Sequence, residues 1–191
     1  RTIKKVASHI FIDGFGGMTQ GLFATLIIGT MIQQIGLLIG GSTGNVIYLL
    51  GKAAAALTSA GIGVGVAVKY GESPLVTVSA AVAAMVGGYA GKITGGTFFV
   101  DGNAVLAGPG EPLGAFIAAF AGITCGHLVS GKTKVDIIVT PVITIGAGSV
   151  VGLLVGPPIS QMMTGLGSII NWATEQRPFI MGIVVSVVMG M

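Results

Sequence analysis

Two long stretches of this chain carry no charged side chain. They cover residues 14–51 and 137–174, and each runs for 38 residues. A helix needs about 20 apolar residues to cross the hydrocarbon core of a bilayer. Each stretch is therefore long enough for one crossing, a turn and most of a second crossing. The pattern predicts an integral membrane protein.

The composition supports this interpretation. Charged residues make up 8% of the chain and hydrophobic residues 52%, whereas a soluble domain carries about 25% charged residues. The 34 glycines fall largely inside apolar runs. Small residues allow transmembrane helices to approach closely, so pairs spaced by four, such as Gly17 with Gly21 and Gly61 with Gly65, indicate a tight bundle.

Charges, glycines and prolines divide the chain into about six or seven helices, which predicts an all-α polytopic transmembrane bundle. The predicted helices cover residues 18–39, 46–68, 74–90, 112–129, 135–155 and 159–173, and a seventh begins at Pro178. Residues 1–12 are predicted to be interfacial. The whole chain, 1–191, is interpreted as one membrane domain. Because it begins without methionine and stops within an apolar run, we expect it to be a fragment of a longer domain.

The distribution of basic residues predicts the orientation of the bundle. Cytoplasmic loops of membrane proteins are enriched in lysine and arginine. With the N-terminus in the cytoplasm, one basic residue, Lys92, lies outside, and those inside are Arg1, Lys4, Lys5, Lys69, Lys132, Lys134 and Arg177. If the predicted helix at 159–173 does not cross the bilayer separately, Arg177 moves outside.

Two weak internal similarities suggest a repeat. Residues 35–40 resemble residues 151–156, and a Leu-Gly pair follows each at the same distance. Residues 71–75 similarly resemble residues 110–113, since both combine Gly-Glu with a proline. Internal repeats are common in transporters, which bind substrate near the repeat interface.

Residues 91–114 are too rich in glycine and proline for a helix, yet too apolar for an ordinary aqueous loop. Irregular backbone is tolerated at membrane depth where it is buried in protein or lines a wet cavity. We interpret the segment as a re-entrant loop, with an external loop as the alternative. In a re-entrant loop Asp101, Asn103 and Glu111 would face a cavity.

Glu111 is the first candidate for a substrate-binding residue. Gly110 and Pro112 restrict its backbone, and a predicted helix begins directly after it, where the helix dipole favours a negative charge. A carboxylate can accept hydrogen bonds from two adjacent hydroxyls, which is the chemistry that holds a sugar. It can also coordinate a cation, or serve only as a helix-terminal charge.

Three weaker candidates accompany Glu111. Asp101 and Asn103 share its segment, and His127 lies near the end of a predicted span, where an ionisable group is either functional or interfacial. No metal site, cofactor site or catalytic motif is predicted. The net charge of +3 is spread over loops, which gives nucleic-acid binding no support.

The stretch Gly108-Pro109-Gly110-Glu111-Pro112 resembles a motif of the membrane C component of enzyme II in the bacterial sugar phosphotransferase system. The glucose-lactose superfamily has Gly-Ile-Thr-Glu-Pro there, and its Glu contacts sugar hydroxyls. The wider pattern, carried by residues 13–22 and 177–182, is more similar to a second EIIC-like family that includes perfringolysin O regulator-type membrane proteins.

This resemblance implies a permease component in the bacterial inner membrane, usually a homodimer, that binds a sugar or similar polyol between helical repeats. Any enzymatic activity would at most be transport-coupled sugar phosphorylation with separate cytoplasmic A and B components. The alternatives are a membrane sensor or transcriptional regulator that transports nothing, and a small-solute channel.

Overall fold

The structure is a computed structural model that describes residues 9–100, 102–106, 108–176, 182 and 186. The first helical stretch combines a π-helical segment at His9–Gly14, α1 at Phe15–Leu22, a second π-helical segment at Phe23–Ile27, and α2 at Ile28–Ile39. It is followed by α3 (Gly41–Ala56), α4 (Thr58–Lys69), α5 (Pro74–Gly88), α6 (Ala90–Thr94), β1 (Phe99–Val100), β2 (Asn103–Ala104), α7 (Pro112–Val129) and α8 (Asp136–Gln176).

The predicted all-α polytopic bundle is confirmed. Within the described residues, three helices are long and apolar enough to cross a membrane: Ile12–Ile39, Pro112–Val129 and Asp136–Ser168. A fourth results if α3 and α4, which meet at a bend of 53°, count as one broken span. Large apolar side chains such as Leu38 and Leu154 lie exposed on the outer surface of the helices, where lipid would cover them.

Close glycine contacts join α1 to α4. Gly17 and Gly21 of α1 face Gly65 and Gly61 of α4, so the two helices run antiparallel with their backbones in contact. A Cβ atom at Gly17 would lie 2.5 Å from the Gly65 carbonyl oxygen. Because these glycines pack instead of breaking the helix, the first helix begins well before the predicted residue 18.

The buried core lies where α4, α5 and α7 meet. It contains Ile62 and Val66 from α4, Val76 from α5, and Phe116 and Ile123 from α7. Gly87 of α5 contacts Gly114 and Ala118 of α7, and Gly152 of α8 contacts Gly87. Small residues at these crossings let three helices approach one another, as expected in a membrane bundle.

Two further predicted helix boundaries are wrong. The helix predicted at 46–68 is broken at Leu57 into α3 and α4, and the Thr58 hydroxyl donates to the Ala55 carbonyl across the break at 2.7 Å. The helices predicted at 135–155 and 159–173 are one helix, α8, which continues through Pro157 and Pro158. Proline interrupts backbone hydrogen bonds, but neighbouring helices can compensate in a membrane bundle. The helix predicted from Pro178 lies outside the described residues.

Of the two pairs of similar segments in the sequence, only one pair has a similar structure. Residues 35–39 end at a turn with Gly40 at φ +65°, whereas residues 151–156 continue within α8. The pair at 71–75 and 110–113 shares its local structure: Gly71 and Gly110 both have positive φ, and Pro74 and Pro112 both begin helices.

Candidate functional site

The segment predicted to be re-entrant has three parts. It starts within the short helix α6, continues as a small antiparallel hairpin in which Phe99 pairs with Ala104, and returns to the bundle as residues 108–111. The helix and hairpin differ from the expected irregular loop. The strands are exposed, whereas Pro109, Gly110 and Glu111 of the returning limb are half-buried against α4 and the end of α5. Its depth in a bilayer stays a prediction.

Buried polar groups hold the returning limb. The hydroxyl of Ser59, a fully buried residue of α4, donates to the Pro109 carbonyl at 2.9 Å. The buried Tyr89 hydroxyl contacts the Gly108 carbonyl and lies 3.1 Å from the Ala56 carbonyl. Both hydroxyls lie between helices, so the limb has a fixed position against the bundle.

Gly110 is the point at which only glycine fits. Its φ is +77°, a conformation that side chains disfavour. A Cβ atom there would also collide with the Ser59 hydroxyl and approach the Gly88 carbonyl oxygen to 3.1 Å. The backbone therefore comes close enough for the Glu111 N–H to donate to the Gly88 carbonyl at 2.7 Å.

This packing places Glu111 at the N-cap of α7, half-buried beside the end of α5. Burial raises the pKa of Glu111 above its ordinary value, and the Leu113 backbone N–H opposes the rise. The side chain makes no N-cap hydrogen bond of standard geometry. The carboxyl group therefore lies at a helix N-terminus, close to the Leu113 backbone N–H.

Glu111 lines a cavity of about 220 Å³. The other lining residues are Gly88, Gly91, Lys92, Pro109, Gly110 and Ser160. An acid, a base and a hydroxyl thus share one small opening, and the Lys92 ammonium also lies 5.3 Å from the centre of the Tyr89 ring. This arrangement can both accept hydrogen bonds from a ligand and donate them.

His127 does not share this cavity. It lies in the last turn of α7, whose 18 residues span about 27 Å, whereas Glu111 precedes the first turn. Its Nδ1 is 3.0 Å from the Glu72 carboxylate; the Glu72 side chain is 9% exposed and that of His127 71%. Two groups so far apart cannot contact one small sugar together, so His127 is a candidate separate from Glu111, and its role in binding stays a prediction.

The remaining candidates lie apart from the cavity or outside the described residues. Asn103 is in the exposed strand β2 and is not among the residues that line the Glu111 cavity. Asp101 lies outside the described residues. Sequence reasoning missed Lys92 and Ser160 as neighbours of Glu111. A signal for Ser160 was its position two residues after Pro158 within an apolar run.

The two similar Gly-Glu motifs have different surroundings. α5 and α7 run antiparallel, so the N-terminus of each lies beside the C-terminal end of the other. Glu72, before α5, pairs with His127 at the end of α7. Glu111, before α7, lines a cavity at the end of α5. The same local motif therefore has a cavity beside it at Glu111 and an ion-pair partner at Glu72.

A comparison with protein families identifies the family to which the chain belongs. The family model described as "Phosphotransferase system, EIIC" matches residues 12–191. The chain belongs to this family. The predicted EIIC relationship is thereby confirmed, and the protein is a multi-pass membrane component of the phosphotransferase system. A search of curated proteins and a search of solved structures each found no match.

Membership in the EIIC family implies, in general terms, a sugar substrate and cytoplasmic phosphotransferase components. It specifies neither the sugar nor the residues that bind it. The limb at residues 108–111 forms part of one of the stretches that carried the sequence resemblance.

Proposed function

We propose that this EIIC protein is the permease component for a neutral sugar or polyol and binds it at Glu111. The observation that supports the proposal is the half-buried Glu111 carboxyl group, held at a helix N-terminus and facing a cavity. One carboxylate can accept hydrogen bonds from two neighbouring hydroxyls of a sugar. Bonds to a charged acceptor are stronger than bonds between neutral groups.

The neighbours of Glu111 favour a sugar over a cation. A hard divalent cation is usually held by several oxygen ligands, with carboxylates prominent among them. The Glu111 cavity instead includes Lys92, whose positive charge repels a cation. The Lys92 ammonium can donate to a sugar oxygen, and the Ser160 hydroxyl can donate or accept. These groups match the alternating donors and acceptors of a polyol.

In this proposal the protein is a homodimer in the bacterial inner membrane with its N-terminus in the cytoplasm. The Glu111 cavity then lies toward the outer end of the bundle and receives the sugar. The loops at 70–73 and 130–135 lie on the cytoplasmic side, where the A and B components act. The Glu72–His127 pair links α5 and α7 at that end.

Uptake measurements test the proposed function. Expression in a bacterial strain that lacks its own sugar permeases but retains the cytoplasmic phosphotransferase components should confer accumulation of at least one radiolabelled sugar as its phosphate. Accumulation should stop when the phosphoryl donor is depleted. A change in reporter transcription without any uptake across the sugar panel would instead identify a regulator and contradict the proposal.

Cysteine labelling tests the orientation. In a Cys125→Ser background, Thr97→Cys places a thiol on the exposed segment after α6, and Lys132→Cys places one on the exposed loop after α7. An impermeant maleimide added to intact spheroplasts should label Thr97→Cys and should label Lys132→Cys only after permeabilisation. The reverse pattern would overturn the assignment of the N-terminus to the cytoplasm.

A further inference from the structure

A second, larger cavity lies beside the Glu111 cavity. Its volume is about 460 Å³, and it lies between α6 and the middle of α8. Its lining residues are Gly91, Thr94, Gly95, Pro157, Ser160, Gln161 and Thr164. Gly91 and Ser160 line both cavities. The two openings therefore adjoin across these two residues.

Gly91 contacts Ser160 at the junction of the two cavities. A Cβ atom at Gly91 would lie 2.8 Å from the Ser160 hydroxyl oxygen and 3.0 Å from the Ser160 Cβ. Any larger residue would therefore displace Ser160. Gly91 and Ser160 pack directly against each other, and a ligand that enters both cavities must cross over this contact.

The larger cavity offers neutral hydrogen-bonding groups. The Thr94 hydroxyl donates to the Ala90 carbonyl and the Thr164 hydroxyl to the Ser160 carbonyl, each at 2.9 Å. Each of these hydroxyl oxygens keeps acceptor capacity, and the Gln161 amide provides both donors and an acceptor. None of the lining residues is charged. This chemistry suits hydroxyl groups better than a phosphate or a carboxylate.

The volumes of the two cavities indicate the size of the ligand. Pockets that bury most of a small ligand measure about 300–1,000 Å³. The Glu111 cavity, at about 220 Å³, is smaller than this range, whereas the adjoining cavity, at about 460 Å³, lies within it. A ligand that contacts Glu111 and is also well buried must therefore occupy both.

We infer that the substrate is a neutral sugar longer than one ring, a disaccharide or a glycoside. One ring contacts Glu111, and the second lies in the larger cavity against Gln161 and Thr164. The inference rests on the proposed function, since it extends the same site. Gln161 and Thr164 are then specificity residues that act on the second ring only.

Binding measurements on the full chain in lipid nanodiscs test this inference. The probes are glucose, mannose and N-acetylglucosamine, together with maltose, cellobiose and chitobiose. At least one disaccharide should bind ten times more tightly than its own monosaccharide. Gln161→Leu should weaken that disaccharide about tenfold, as expected for one lost hydrogen bond, and should leave monosaccharide affinity within twofold.

Matched variants control for general damage. Gln34→Leu makes the same chemical change on α2, away from both cavities, and should alter neither affinity. Thr164→Val is the second test variant. Its control is Thr124→Val on α7, because both threonine hydroxyls donate to the carbonyl four residues earlier. Thr164→Val should weaken disaccharide binding, and Thr124→Val should not.

The results of these measurements distinguish failure of the disaccharide inference from failure of the proposed function. If a monosaccharide binds as tightly as its disaccharide, or if Gln161→Leu weakens both equally, the inference is overturned. The proposed function survives that result when Glu111→Gln still abolishes binding. If the wild-type protein binds no sugar of either size, the proposed function itself is overturned.

Discussion

Glu111→Gln should abolish sugar binding and uptake while the protein still folds and inserts. The substitution keeps the size of the side chain but replaces a charged acceptor with a neutral amide, and hydrogen bonds to a charged group contribute roughly 1.5–3 kcal/mol. Two such bonds correspond to a loss of affinity of at least about a hundredfold. Isothermal titration calorimetry with the transported sugar measures the loss.

Glu72→Gln is the matched control for this prediction. It makes the same chemical change in the similar Gly-Glu motif at the other end of the α5–α7 pair, where the acid contacts His127. This variant should keep sugar affinity but lower thermal stability, because the link between the two helices is weakened. If both variants lose binding to the same extent, Glu111 has no special role and the proposed site is contradicted.

The dependence of the protein's stability on pH tests whether the Glu111 carboxyl group is buried. Burial raises the pKa of its carboxyl group in the folded protein above the unfolded value. Below both pKa values the carboxyl group is protonated in the folded and the unfolded protein, and it has no effect on stability. As the pH rises from the pKa of Glu111 in the unfolded protein to its pKa in the folded protein, ionisation increasingly favours the unfolded protein. Relative to Glu111→Gln, the wild-type protein should become less stable across that interval and level off above it. Thermal unfolding in detergent at a series of pH values measures the difference.

Gly21→Ala should severely impair folding of the bundle. The added Cβ atom would overlap the carbonyl oxygen of Gly61, a backbone atom that cannot rotate aside. Overpacking of this kind costs about 1–3 kcal/mol or more. It would separate α1 from α4, whose close approach depends on glycine at four positions. We expect aggregation in size-exclusion chromatography and a clear fall in the melting temperature.

Gly146→Ala is the matched control. Gly146 also lies within a helix, α8, but nothing lies within 4 Å of the position its Cβ would occupy. Alanine stabilises a helix by about 0.5–1 kcal/mol relative to glycine, so this variant should be neutral or slightly more stable. Equal behaviour of the two variants would show that the contact between α1 and α4 does not hold the bundle together.

Local signals predicted part of the fold correctly. The predicted helix at 112–129 has the observed bounds of α7, and Pro74 begins α5 as expected. Proline at the first helical turn and an uninterrupted apolar run are properties of neighbouring residues, so they can be read without knowledge of the fold. The same signals wrongly divided α8 at Pro157, because the packing around a proline decides whether a membrane helix continues.

The sequence by itself determined that this chain is a helical membrane protein and that Glu111 directly precedes a helix, between a glycine and a proline that restrict its backbone. These properties follow from composition and from the stereochemistry of adjacent residues. Only the tertiary structure decided that Glu111 lines a cavity together with Lys92 and Ser160, and that Glu72 pairs with His127 at the opposite end. Those facts depend on which helices lie side by side, and contacts between distant segments leave no fixed spacing in a sequence of glycine and aliphatic residues.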